Sequence, residues 1–105
     1  MLKEAYNHSL KSYAAYMDGK LVGLIRVVGD GVSVVFVQDL LVYPQYHRRG
    51  IGTALLKKVL DEYQCVYQLH LLTENTEKTV RFYKSLDFVM DTDIDCRAFS
   101  KYHVD

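Results

Sequence analysis

The chain has 105 residues, half of them hydrophobic and a quarter charged, which is the composition of one folded domain and not of a disordered segment. Thirteen basic residues balance thirteen acidic ones, so no overall basic field draws in nucleic acid or anionic membrane, and any anion site has to be local. No apolar run approaches the ~20 residues of a membrane span, and Met1-Leu2-Lys3-Glu4 does not open a signal peptide, so a cytoplasmic location is expected.

In chain order, residues 3–10 are weakly helical and too short to be stable alone. Ser12 to Met17 favours a strand, and Asp18-Gly19-Lys20 reads as a turn because Asp-Gly accepts positive φ. Leu21 to Val28 is almost continuously apolar, with Arg26 its one charge, and Gly29-Asp30-Gly31 marks a second turn. Val32 to Val42 is a third apolar run, rich in β-branched residues, so the first half predicts an antiparallel meander. After Pro44, the only proline, the period changes. Ile51, Leu55, Leu56, Val59, Leu60 and Tyr63 fall at helical spacing, which predicts an amphipathic helix from Ile51 to Gln64. Val66 to Thr73 reads as a strand and Thr76 to Leu86 as a second helix. Phe88 to Met90 and Cys96 to Tyr102 read as closing strands. The expected order is β-β-β-α-β-α-β-β, an α+β fold around one mixed, mostly antiparallel sheet.

Cys65 and Cys96 are the only cysteines and are read as reduced packing thiols. His8, His47, His70 and His103 are scattered, so no structural metal is expected. The residues that point to chemistry lie between Pro44 and the first helix: His47-Arg48-Arg49-Gly50-Ile51-Gly52. Glycines let a ligand approach the backbone, and a helix start offers unpaired N–H groups and partial positive charge. Arg48 and Arg49 add charge and Thr53 a hydroxyl, so the turn is a candidate phosphate cradle. It is neither a P-loop, since Gly-Lys-Ser/Thr is missing, nor a dinucleotide fingerprint, since Leu55 stands where the third glycine is needed.

The stretch Asp39-Leu40-Leu41-Val42-Tyr43-Pro44-Gln45-Tyr46-His47-Arg48-Arg49-Gly50-Ile51-Gly52-Thr53-Ala54-Leu55-Leu56 resembles the signature segment of the GCN5-related N-acetyltransferases (GNAT). That family carries Gln/Arg-x-x-Gly-x-Gly/Ala at a strand-to-helix junction. Asn75 to Phe88 resembles its later segment, with Phe82-Tyr83 on a helix and Leu86-Asp87-Phe88 where Leu-Gly-Phe is usual. Three features depart from the pattern. His47 replaces the preferred Gln or Arg. Asp87 replaces glycine, which calls for a left-handed Asp or a different path. Only about eleven residues precede the matching part, where the family usually has a strand and one or two helices that help wall the acceptor site, so a truncated amino end is expected.

The resemblance implies the acyl-CoA N-acyltransferase fold and acetyl-CoA as cosubstrate. Its pyrophosphate would lie on His47, Arg48, Arg49, Gly50, Ile51, Gly52 and Thr53, and its pantetheine arm on the backbone of Leu40, Leu41 and Val42. Asn75 would either cap the second helix or bind the arm, with Thr76 able to share that role. Tyr83 is the candidate general acid for the leaving thiolate, Phe82 a packing residue, and Asp39 the candidate base with Glu74 as its competitor. The backbone N–H of Leu41 or Val42 is the candidate oxyanion donor. The expected activity is acetyl transfer to a primary amine of a small molecule or protein. The alternative is a non-catalytic CoA-binding module of the same fold. A homodimer is expected, because a short amino end leaves the sheet incompletely covered.

Overall fold

The computed structural model describes residues 7–103, and the chain divides into two units, one ending at Leu72 and the other starting at Thr73. Of the weakly helical stretch 3–10, residues 3–6 lie outside the described residues, and His8 to Leu10 form a turn and bend. The first unit holds β1 (Lys11–Met17), β2 (Lys20–Gly29), β3 (Val34–Val42), a 3-10 turn (Pro44–Tyr46), α1 (Ile51–Glu62) and β4 (Gln68–Leu71). The second holds α2 (Glu77–Lys84) and a 3-10 turn (Asp91–Ile94).

The meander forms as the turn residues dictate. Asp18 and Gly19 both take positive φ, 51° and 76°, so β1 and β2 are joined by the two-residue turn that Asp-Gly favours. At the next turn the Asp30 carboxylate accepts from the backbone N–H groups of Val32, Ser33 and Val34 and from the Ser33 hydroxyl. Those donors, the Ser33 hydroxyl foremost, hold the Asp30 carboxyl well below the usual carboxylate range. The sheet order is β1-β2-β3-β4, with β1, β2 and β3 antiparallel and β4 parallel to β3. The sheet is therefore mixed, and α1 serves as the crossover that a parallel pair requires.

The core sits between β2, β3 and α1. Ile25, Val27, Val35, Val37, Leu55, Leu56 and Val59 are buried. Each such side chain contributes about 1.5–3 kcal/mol by leaving water. The spacing of Leu55, Leu56 and Val59 is that of one helix face, so the period read from the sequence is the one used to bury it. Gly23 sets how closely α1 approaches. A Cβ there would lie 3.1 Å from side-chain atoms of Ile51 and Leu55 and 3.2 Å from the Leu41 carbonyl oxygen. Arg26 is the buried charge on β2. It donates from Nε to Asp39 Oδ2 at 2.7 Å, and Nη1 donates to the Ser9 hydroxyl at 3.3 Å. A buried guanidinium needs such partners.

In the second unit the expected closing strands are not formed. Residues 88–90 and 96–102 are extended or irregular, and the segment between them is a short 3-10 turn. Strand propensity expresses a fit to a neighbouring strand and a half-buried face. Residues 96–102 are exposed and form no strand among the described residues, and Phe99 is 92% exposed. Asp87 takes φ 68°, so the aspartate adopts the left-handed conformation in place of the usual glycine.

Candidate functional site

β3 ends at Val42 and leads through Pro44–Tyr46 into the turn before α1. Pro44 begins the 3-10 turn, where its fixed φ is already suitable. Tyr46 N–H donates to the Tyr43 carbonyl and His47 N–H to the Pro44 carbonyl, which closes the turn. Arg48 then takes φ 66° and Gly50, the N-cap of α1, φ 77°. No side chain caps this helix. The first intrahelical bond of α1 runs from Ala54 N–H to the Gly50 carbonyl, so the N–H groups of Ile51, Gly52 and Thr53 have no partner within the helix. A Cβ built on Gly50 meets nothing within 4 Å, so the space in front of this helix end is open. The Arg49 guanidinium stacks over the Tyr46 ring at 5.4 Å, which holds a positive charge beside the turn. Open amides, a helix N-terminus and neighbouring arginines together can accept a phosphate group.

The edge of β3 is equally specific. Tyr43 N–H donates to the Val22 carbonyl, so by the alternation of an antiparallel ladder Leu41 pairs toward β2. Leu40 and Val42 then turn their backbone groups to the other edge. β4 covers that edge only from Val34 to Val37, so no strand pairs with it at Leu40 or Val42 among the described residues. Of residues 40–42, Leu40 and Val42 thus present backbone groups at the open edge, whereas the Leu41 groups are directed to β2, which argues against its N–H as an oxyanion donor. His47 donates from Nε2 to the Val42 carbonyl at 2.8 Å. The candidate base Asp39 lies on the same strand, engaged with Arg26.

In the second unit the α2 N-cap is Thr76, whose hydroxyl accepts from Thr79 N–H at 3.2 Å. Of the two roles open to Asn75, cap or arm contact, the cap thus falls to Thr76, and Asn75 is exposed one residue earlier. The Glu74 carbonyl accepts from Thr76 N–H and from the Thr79 hydroxyl, tying the segment before the helix to its first turn. Tyr83 is half-buried between Phe82 and Phe88, edge-on to both at centroid distances of 5.0 and 5.7 Å. Desolvation pushes the Tyr83 hydroxyl above the ordinary tyrosine range, and a hydrogen bond with the Thr73 side chain works weakly against it. The phenol is therefore protonated at neutral pH, the state a general acid needs. Phe82 is itself half-buried, its ring meeting Tyr83 edge-on. Among the described residues no group of three His, Cys, Asp or Glu side chains converges as a metal site.

Three supporting residues escaped sequence reading. Thr73 and Arg26 act through partners distant in sequence, which no local pattern records. Gly23 carried a signal, since glycine inside a strand often marks close approach of another element.

The chain matches the family model of the acetyltransferase (GNAT) domain over residues 1–103. Its structure is similar to that of a GNAT family acetyltransferase from Streptococcus pneumoniae TIGR4, with a TM-score of 0.93 and 46% identity over 99% of this chain and 79% of the other. It is also similar to Naa50 from Arabidopsis thaliana in complex with the bisubstrate analogue CoA-Ac-MVNAL, with a TM-score of 0.64 and 29% identity over 71% of this chain and 54% of the other. In sequence it is 29% identical over 96 residues to serotonin N-acetyltransferase 2, chloroplastic, from Oryza sativa, covering 88% of this chain and 48% of that protein. The chain thus spans less than half the length of the curated relatives it matches. With the mixed sheet, the open helix start after β3 and a family model matching nearly its whole length, the chain belongs to the GNAT acetyltransferase family.

Proposed function

We propose that the protein is an acetyl-CoA-dependent N-acetyltransferase acting on a primary amine of a small molecule or protein. The observation that carries this is the uncapped start of α1, where three amides with no partner in the helix, two left-handed residues and a stacked arginine suit a pyrophosphate. The solved complex of Naa50 with a CoA-containing analogue supports CoA as the ligand. The pantetheine arm would pair with the outward backbone groups of Leu40, and Asn75, which does not cap α2, is proposed as a further contact of the cofactor.

In the reaction the neutral amine attacks the thioester carbon. The C–N bond forms, the C–S bond breaks, and the departing thiolate takes a proton from Tyr83. The amine proton leaves to water or a carboxylate, with Asp39 and Glu74 the competitors. Val42 N–H is the donor for the developing oxyanion. A cytoplasmic location is proposed, a reducing compartment in which the exposed thiols of Cys65 and Cys96 would stay unpaired. The exposed Ile94, Phe99 and Tyr102 suit a homodimer contact, which light scattering in solution tests directly. For the activity, acetyl-CoA is incubated with a panel of amines and thiol release is followed. Saturable CoA binding with no turnover on any amine would reduce the protein to a binding module.

A further inference from the structure

We propose that His47 is a positioning residue: it locks the turn before α1 to the open edge of β3 through the Val42 carbonyl and does not itself bind the pyrophosphate. The inference rests on the CoA-binding reading above. The imidazole Nε2 lies 2.8 Å from the Val42 carbonyl oxygen. A carbonyl only accepts, so Nε2 carries the hydrogen and donates it. The same residue's backbone N–H donates to the Pro44 carbonyl at 3.1 Å, so His47 is tied once to the 3-10 turn and once to β3. Its neighbour Arg48 has φ 66° and Gly50 φ 77°, so the chain reverses sharply between this tie and the helix.

The Val42 carbonyl is a significant choice of partner. It faces away from β2, on the edge where no strand pairs with it. The His47 bond therefore occupies an acceptor that the sheet leaves open. The bond also extends inward. The peptide group between Val42 and Tyr43 accepts from His47 on its oxygen and donates from Tyr43 N–H to the Val22 carbonyl at 3.0 Å. Hydrogen bonds in such a chain polarise one another, so the side chain of an exposed turn residue is linked to the central strand of the sheet. A turn held in this way before the ligand arrives loses less freedom on binding.

The test compares His47→Met, which has similar reach and no N–H, His47→Gln, whose amide can donate, and His47→Arg, which supplies charge. KM for acetyl-CoA, kcat and calorimetric Kd for CoA are measured, together with amide hydrogen exchange of Tyr43 in the ligand-free protein. His47→Met is expected to raise KM and Kd roughly three- to tenfold, the scale of one lost hydrogen bond, with kcat within about twofold. It should also speed exchange at Tyr43, and His47→Gln should restore both. Restoration by His47→Arg but not by His47→Gln would overturn the proposal in favour of a direct charge contact. Tyr43 exchange unmoved by His47→Met would overturn it outright. Wild-type protein that binds no CoA would instead refute the reading on which the proposal rests, while the exchange experiment still judged the tie itself.

Discussion

Gly50 and Gly19 form a matched pair for testing whether the backbone of the turn is the binding element. They have nearly the same φ, 77° and 76°, and a Cβ added to either meets nothing within 4 Å. Replacing either by alanine therefore costs only the strain of a left-handed residue, about 1–2 kcal/mol. The stiffer unfolded chain offsets roughly 0.4–1 kcal/mol of that. The net loss is about 1 kcal/mol at both sites, a fall of roughly 4–8 °C in Tm for a domain of this size. Ligand binding should separate them. At Gly50 the new methyl group occupies the open space before the unpaired amides of α1, whereas Gly19 sits in the turn between β1 and β2. Losing one charge-assisted hydrogen bond to phosphate weakens CoA binding by about 1.5–3 kcal/mol, or roughly 10- to 150-fold in Kd. Differential scanning calorimetry and isothermal titration with CoA measure the two effects. Equal Kd for Gly50→Ala and Gly19→Ala would refute a backbone cradle at Gly50, and a much larger Tm loss at Gly50 would show that the strain argument had missed a contact.

Three further outcomes follow from the geometry. Asp39→Asn strips the carboxylate from Arg26 and should cost about 1–3 kcal/mol of stability by denaturant melts; unchanged stability with kcat reduced a hundredfold would instead make Asp39 the base. Tyr83→Phe should lower kcat about 10²- to 10⁴-fold, with CoA affinity changed less. Because folding raises the Tyr83 pKa, the stability it contributes is intact below the ordinary tyrosine value of ~10 and falls as pH rises through the higher folded value. A wild-type alkaline loss of Tm that persists unchanged in Tyr83→Phe would assign that titration elsewhere. Asp30 has the opposite sign. Its contribution is present above the unfolded carboxylate value of ~3.9 and is lost only as pH falls toward the depressed folded value, so Asp30→Asn should flatten the acid limb of the wild-type stability curve.

Local sequence determined much of this protein, because local physics suffices for those parts. Asp18-Gly19 sets a tight hairpin by its tolerance of positive φ, the spacing of Leu55, Leu56 and Val59 sets the buried face of α1, and Gly50-Ile51-Gly52 before that face marks an open helix start. Tertiary structure decided what depends on partners far along the chain. Register with β2 turned Leu40 and Val42 outward and Leu41 inward, since a strand's hydrogen-bonding direction alternates with respect to a specific neighbour. Arg26 claimed Asp39, a pairing that no spacing within β3 records. Competition for one helix end gave the cap to Thr76 over Asn75. Residues 96–102 have strand-like composition but form no strand among the described residues, so propensity there remained unexpressed. Composition and period are properties of a segment alone, whereas pairing, burial and the direction of a carbonyl are properties of a segment and its neighbour.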